Sequence, residues 1–522
     1  MKQIISIIFL VVIGIVFYGA TLRGPVGNYT ALPDIKRIEG HTGSPFESSH
    51  ERASYAELVQ MRQNNTPALS DGLRDFAAPD VGYDNGKYYS YFPPGISLII
   101  RPLFELGYPF QLSLVAAYST MAIISIGTMI VLYLICKNVF NLPSYIGILA
   151  ALTFAFATTS WSYAVTIFQH APSAFFAAIM FYGVARYRAR VKTSAIWASI
   201  VWFTYGISIL FDYPNGLILA PFIVYYLSSA FQIIREQSAD HHKLNFKVNI
   251  AHFAVVIWFV IGVAIQLTFN ALYMDHAFEL RQNFARYDPK LARLMMEQDM
   301  KNKILTVTTE NVAPAVEQRT HMPFLEEVFF SGIVTLLVAP DKGLFYFSPI
   351  LFFALWGIFY AFRHEYKIEH AILVAFMVTN VFIYASFGDP HGGWAFGPRY
   401  LIPAMVGLGF YTAYGFSKLK NPLLKALFFF MFLFSMCISA AGVLTTNNVP
   451  PHVEADFLKM PFYNYLLNFH MIDTQGTSNF VYATFLKNVM RLSDYYVLIV
   501  ISLGLIVYML LFVIPLLNKH KK

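Results

Sequence analysis

Apolar residues in this chain fall into long continuous blocks. They show neither the two-residue alternation of a half-buried strand nor the single stripe of a soluble amphipathic helix. Such blocks lie near 3–20, 111–135, 142–161, 165–185, 194–211, 215–234, 248–270, 344–362, 369–387, 400–417, 424–445 and 495–517. Each approaches the ~20 mostly apolar residues that cross bilayer hydrocarbon as a helix. The pattern predicts an all-α polytopic membrane protein with about 12 transmembrane helices. The first block reads as a signal anchor, because no small-residue cleavage site follows it and Lys2 alone makes a thin basic leader.

The polar positions give this pattern a direction. Lys2, Lys137, Arg186 to Lys192, Arg235 to Lys247, Arg363 with Lys367, Lys418 to Lys425 and Lys519 to Lys522 all fall on one side. Basic residues in short loops mark the cytoplasmic face. Both termini are therefore expected in the cytoplasm, with the chain in the plasma (inner) membrane. The long connections 21–94, 271–343 and 446–494 are then extracytoplasmic. Two short amphipathic stretches in the loops, Ala53–Arg62 and Leu291–Lys303, are expected to lie in the interface plane. Residues 1–445 read as one transmembrane module, and 446–522 as an outer segment plus the last spanning helix.

Composition closes off other classes. Charged residues make up 13% of the chain and hydrophobic ones 57%, whereas soluble domains carry about 25% charged residues. Mean hydropathy is +0.52. Cys136 and Cys437 both sit in apolar blocks, which suits helix packing better than a disulfide or metal site. There is no phosphate-loop motif, and no soluble basic face for nucleic acid. No metal-ligand spacing is present, so no cofactor is named, although a divalent metal stays open.

Ionisable groups are scarce in the blocks and cluster at their outer ends. A transporter would instead keep them near the membrane midplane on related halves, and a scaffold would not need them clustered. The first outer loop carries nine notable carboxylates: Asp34, Glu39, Glu47, Glu51, Glu57, Asp71, Asp75, Asp80 and Asp84. Most are ordinary solvated acids. Glu51 is singled out because it opens a helical pattern, with Arg52 beside it. Asp84 is singled out because it enters a tight Asp-Asn-Gly turn, followed by Lys87, Tyr88, Tyr89 and a Pro-Pro-Gly re-entry that Arg101 follows. The bland reading of that run is an interfacial aromatic belt. A second segment, Gly388 to Tyr400, holds His391, Gly392, Gly393, Trp394 and Arg399. Its bland reading is a tight turn with a snorkelling arginine. An arginine fork also fits phosphate, and a tryptophan face fits a sugar or a prenyl chain. His170 and Asp212 stand at outer helix mouths, where packing is the commoner role for a lone histidine.

At these residues the chain resembles the GT-C membrane glycosyltransferases related to the family 39 protein-mannosyltransferase group. The matching pieces are Glu51-Arg52 with Tyr55, Asn85 to Ser90 with Pro93-Pro94-Gly95, Trp161-Ser162-Tyr163 with His170, Asp212-Tyr213-Pro214, Lys342 to Phe345 with Ser348-Pro349, and Gly392 to Tyr400. They cover about residues 1–420. The Asp-Glu pair that the family carries after its first helix is absent, and Glu51 stands in for it further along.

The resemblance implies a GT-C-like fold and a hexosyl or pentosyl transferase of the cell envelope. Its donor would be a polyprenyl-phosphate-sugar and its acceptor a lipid, glycan or protein. It implies Glu51 or Asp84 as base, and Arg399, Arg52, Lys87 or Arg101 on the donor phosphate. Tyr88, Tyr89, His170, Asp212, His391 and Trp394 would line the substrate. Competing readings are a lipid or oligosaccharide transporter and a GT-C oligosaccharide ligase or polymerase.

Overall fold

The computed structural model describes residues 2–38, 44–229, 231–238, 241–248, 254–274, 276–287, 316–317, 328–365 and 367–513. The expected helix Leu291–Lys303 and the terminal lysines Lys519 to Lys522 lie outside the described residues. The chain is mainly helical. It begins with α1 (Lys2–Thr21), α2 (Leu32–Ile38), α3 (Ser49–Asn64) and α4 (Asp71–Ala77). A hairpin of β1 (Val81–Asp84) and β2 (Lys87–Ser90) follows, then α5 (Gly95–Gly107), α6 (Ser113–Leu134), α7 (Ser144–Phe156), α8 (Ser160–Tyr163), α9 (His170–Arg188), α10 (Ser194–Ser208), α11 (Asn215–Ile218) and α12 (Ala220–Leu227). Later helices include Ile257–Tyr273, Phe352–His364, Ile368–Ala385, Ile402–Lys418, Pro422–Leu444 and Leu492–Tyr508.

Every apolar block contains a helix, but fewer of these reach spanning length than expected. Among the described residues, five are long and apolar enough to cross a membrane: Gln3–Thr21, Ser113–Val139, Ile368–Ala385, Pro422–Leu444 and Leu492–Val513. Four more, Ser144–Phe156, Asn215–Leu227, Ile257–Tyr273 and Pro349–His364, are apolar but shorter. Local chemistry shortens them. The block near 344–362 breaks at Ser348-Pro349, where proline removes a backbone donor. The block near 215–234 stops at Leu227, and Phe231–Ser238 pairs with His241–Val248 as a two-stranded hairpin instead.

Helices approach closely where side chains are smallest. A Cβ on Gly357 would overlap the Tyr411 carbonyl, and the same position would lie 3.1 Å from the Gly415 nitrogen. This small-residue contact seats Phe352–His364 against Ile402–Lys418, as is usual where lipid supplies no hydrophobic drive between helices.

The face that carries the hairpin is built mainly from the first long loop. Ala53–Arg62 belongs to α3. Residues from Ala53 to Met61 are all buried, because α4, β2 and α5 cover it. The hairpin anchors a four-stranded sheet in the order β2, β1, Ala285–Tyr287, Val316–Glu317, so the second long loop adds strands to the first. A buried ion pair fastens the same junction. Arg281 Nη2 lies 2.6 Å from Glu57 Oε1, with both side chains fully buried. Ser97 Oγ donates to Glu57 Oε2 at 2.7 Å, and Arg281 Nη1 donates to the Phe92 carbonyl at 3.0 Å.

Removing one partner of such a pair leaves an uncompensated buried charge, at a cost of about 3–5 kcal/mol. Arg281→Met should therefore unfold at a distinctly lower temperature in detergent, and Arg281→Met with Glu57→Leu should regain most of the loss. A single variant that melts with wild type would show that the pair does not hold the two loops together.

Candidate active site

The site is organised from a carboxylate that no local pattern marks. Arg23 follows α1, Glu47 precedes α3, and Asn447 follows the helix Pro422–Leu444. Arg23 is fully buried, and its Nη1 lies 2.5 Å from Glu47 Oε2. The Asn447 backbone N–H donates to the same oxygen at 2.6 Å. The Asn447 side chain is in turn gripped by Ser162, whose hydroxyl donates to it and whose carbonyl accepts from it at 3.3 Å. A buried guanidinium demands such a partner, so the demand brings three distant segments to one point.

Above this point opens a cleft of about 550 Å³. One wall is the start of α3 and the segment before the hairpin: Glu47, Ser49, His50, Arg52 and Asp80. Ser48 caps α3 by accepting the Glu51 N–H at 3.3 Å. Ser49 Oγ donates to Asp80 Oδ2 at 2.5 Å, and Arg52 Nη2 donates to the Ala78 carbonyl at 3.0 Å. The opposite wall is the Gly388 to Tyr400 segment, contributing Asp389, Gly392, Gly393, Trp394 and Arg399. Gly392 and Gly393 take left-handed φ values of 67° and 62°. A Cβ on Gly392 would sit 3.1 Å from Arg399 Nε, so the bare glycine lets the guanidinium tuck under the turn.

Arg399 is half-buried and sits over the Phe168 and Tyr400 rings at 5.3 and 5.4 Å. Among the described residues no carboxylate lies within ion-pair distance of it, and its Nε is buried without a hydrogen bond. Trp394 Nε1 donates to Glu454 Oε2 at 2.5 Å, bringing the C-terminal outer segment to the rim. Beneath the rim, the buried Lys342 Nζ donates to the Ala395 and Val449 carbonyls at 2.6 and 3.0 Å. Burial lowers its pKa to about 7.

The cleft gathers Arg399, Arg52 and Trp394, and leaves other expected residues aside. Glu51 is fully buried and faces away from it: Oε1 accepts the Ile167 N–H at 3.2 Å, and Oε2 has no partner. Burial, and after it the nearby Glu47 charge, raise its pKa to about 7. Asp84 pairs in register with Lys87 across the hairpin turn, outside the cleft. Tyr88 lies under Arg74 at 4.8 Å, and Tyr89 donates to the Tyr273 carbonyl at 3.1 Å. Arg101 is on α5, also outside. His170 is buried behind Arg399, beside Tyr400 at 5.9 Å. Asp212 is buried and accepts from the Tyr384 hydroxyl at 2.9 Å, and burial raises its pKa to about 7. His391 turns outward from the cleft to Asp341, at 3.2 Å. Among the described residues no group of three or more His, Cys, Asp or Glu side chains is placed to hold a metal ion.

In the sequence Glu47 and Asp80 stand out only as two of nine loop acids, and His50 does not stand out at all. Asp80 carries a weak signal in its place just before the hairpin; Glu47 carries none, since its partner Arg23 is 24 residues away.

No family model and no curated protein matches the sequence. Solved structures do match in three dimensions. ArnT from Cupriavidus metallidurans, bound to undecaprenyl phosphate, superposes with a TM-score of 0.51 at 12% identity, over 97% of this chain and 76% of that one. The archaeal oligosaccharyltransferase AglB from Archaeoglobus fulgidus, in complex with an inhibitory peptide and a dolichol-phosphate, aligns at a TM-score of 0.39 and 12% identity, over 92% of this chain and 56% of its own. The chain thus has the fold of ArnT.

Glu51 gives the site a pH signature. Its folded pKa of about 7 lies above its ordinary 4.5, so the folded chain binds the proton more tightly. That contribution is present in acid and is lost as pH rises from about 4.5 through 7. Glu51→Gln should remove this slope and melt at a higher temperature than wild type at pH 8, with the difference vanishing near pH 4. An equal fall in melting temperature between pH 5 and 8 for both proteins would contradict the buried, protonated carboxyl.

Proposed function

We propose that the chain is a membrane glycosyltransferase moving a single sugar from a polyprenyl-phosphate-sugar to an acceptor hydroxyl at the extracytoplasmic face. The observation that carries this reading is Arg399, a cation lining a cleft of about 550 Å³ with no carboxylate within ion-pair distance among the described residues. An arginine fork left unneutralised in a ligand-sized cleft suits an oxyanion from outside the chain. Fold likeness to ArnT, whose structure holds undecaprenyl phosphate, supports a lipid phosphate as that oxyanion.

The chemistry asks little more. The bond from the sugar C1 to the phosphate oxygen breaks, and its electron pair stays on the phosphate. The acceptor oxygen bonds to C1 through an oxocarbenium-like state, and its proton passes to a carboxylate. A phosphate leaves without a general acid, so the leaving charge needs only cations aimed at it. Arg399 and Arg52 take that role. Asp80 takes the proton, because it faces the cleft and is held by the Ser49 hydroxyl. Glu51 and Asp84 are set back from the cleft, and Glu47 already answers Arg23. Trp394 offers its face to the sugar or the first isoprene unit.

The apolar blocks, including the shorter helices, cross the membrane about 12 times in this reading, with both termini cytoplasmic. A cysteine placed at the exposed Lys459, in a variant lacking Cys136 and Cys437, should react with an impermeant reagent added outside intact cells. Reaction only after permeabilisation would invert the topology.

Asp80→Asn should lower transfer by about 100- to 10,000-fold with donor affinity little changed, read by mass spectrometry of lipid-linked sugars and their products. Arg399→Ala should weaken donor binding severely, and Arg399→Lys partially. If Asp80→Asn turns over near normally, the base is elsewhere. If Arg399→Ala binds as wild type does but melts lower, the arginine is structural.

A further inference from the structure

Three nitrogen-bearing side chains from three parts of the chain meet at one ring. His50 stacks on Phe168 at 4.7 Å and 14°, His170 at 6.0 Å and 14°, and the Arg399 guanidinium sits over it at 5.3 Å. Phe92 covers the other side of His50 at 3.7 Å. His50 is 2% exposed and His170 is 1% exposed. Neither ring nitrogen of His50 completes a hydrogen bond, although the Ile167 backbone lies alongside. Nor do His170 Nε2, Arg399 Nε and Gln169 Oε1. An unsatisfied buried polar atom costs about 1–3 kcal/mol, and native interiors hold few of them. Four of these belong to the side chains that meet at the Phe168 ring, and with His50 on the cleft wall they mark a place prepared for a polar ligand.

The charges decide which ligand. Arg399 and Arg52 are the cations near His50, with His170 behind. The carboxylates on its side of the cleft are Glu47, Glu51 and Asp80, with Asp389 across it. Asp212, from the turn after α10, accepts from Tyr384. Among the described residues none of these carboxylates makes an ion pair with His50, His170 or Arg399. Burial between two rings, and after it the Arg399 charge, hold His50 well below the usual imidazole pKa, so it meets a ligand neutral.

A sugar-lipid phosphodiester carries one negative charge. When the C1–O bond breaks, the leaving group becomes a monoester with a second pKa near 6. The site therefore gains negative charge during the reaction.

Resting on the transfer reading above, we infer that His50, backed by His170 and set beside Arg399, is a protonatable cradle for the leaving phosphate. It is neutral against the diester donor and takes a proton from solvent as the monoester dianion forms. The acceptor's own proton goes to Asp80. A group that interacts more strongly with the developing charge than with the donor lowers the barrier.

The test uses the whole protein in detergent with two probes, farnesyl phosphate as monoester and its methyl ester as diester. Calorimetry at pH 7 in buffers of different ionisation enthalpy counts protons taken up on binding. Wild type should take up more protons with the monoester than with the diester, and His50→Gln should lose that excess. At pH 6.5 the variant should bind the monoester about tenfold more weakly, the loss expected when the bound imidazole pKa stands about one unit above the pH of the measurement. At pH 8.5 it should bind like wild type, and the diester should be unaffected throughout. His170→Gln should reduce the excess without abolishing it. Monoester binding without excess proton uptake in wild type, a measurement that needs no variant to fold, overturns the cradle and leaves the transfer reading standing. Binding of neither lipid overturns both.

Discussion

A fully buried arginine sets the terms for the half of this molecule that carries the cleft. Arg23 leaves the end of α1 with no route to water, so the chain must bring it a carboxylate and carbonyls. Glu47 supplies the first at 2.5 Å, and the Asn447 backbone closes on the same carboxylate oxygen. Everything at the cleft follows from that convergence. With Glu47 fixed, Ser48 starts α3, and the first turn of α3 presents Ser49, His50 and Arg52 as one wall. With Asn447 fixed, the C-terminal segment reaches the rim, where Glu454 meets Trp394.

The charges around the cleft are sorted unequally. Its deep carboxylate Glu47 is answered within the chain by Arg23. Its cation Arg399 sits over the Phe168 and Tyr400 rings, and among the described residues no carboxylate lies within ion-pair distance of it. A fold that meant only to stabilise itself would pair Arg399 with Asp389 or Asp212, both near in space. Leaving the guanidinium open costs stability, which is common where a protein receives an anion. The buried Arg281–Glu57 pair and the Lys342 bridge are the counterpart. They hold the loops that form the walls, and their charged ends meet partners within the protein: Arg281 Nη2 on Glu57 and Lys342 Nζ on two carbonyls.

Much of this was legible along the chain, and the failures have physical causes. Continuous apolar blocks announced the helices, though polar breaks and prolines shortened several. The glycine-rich turn before Arg399 was visible because left-handed backbone and an isolated outer cation both leave marks in sequence. Helix geometry sets Glu51 back from the cleft. One residue along a helix turns the side chain by about 100°, so Glu51 points inward at Ile167 while Arg52 next to it reaches the cleft. Asp84 stands outside the cleft, at a tight turn whose sequence marks are the same whether or not anything binds there. Arg281 and Glu57 are 224 residues apart, and no local pattern connects them. His50 was invisible because its surroundings, Phe92 and Phe168, come from other segments.

The central claim is that a lipid phosphate sits between the start of α3 and the Gly388 to Tyr400 segment. Photocrosslinking measures this directly. A polyprenyl phosphate carrying a small diazirine in its first isoprene unit would be irradiated with the protein in detergent, and the adducts mapped by peptide mass spectrometry. The account predicts labels within residues 47–52, 91–92 and 389–400, competed away by unlabelled polyprenyl phosphate and lost in Arg399→Ala. Adducts spread along lipid-facing helices, indifferent to competitor and to Arg399, would contradict it.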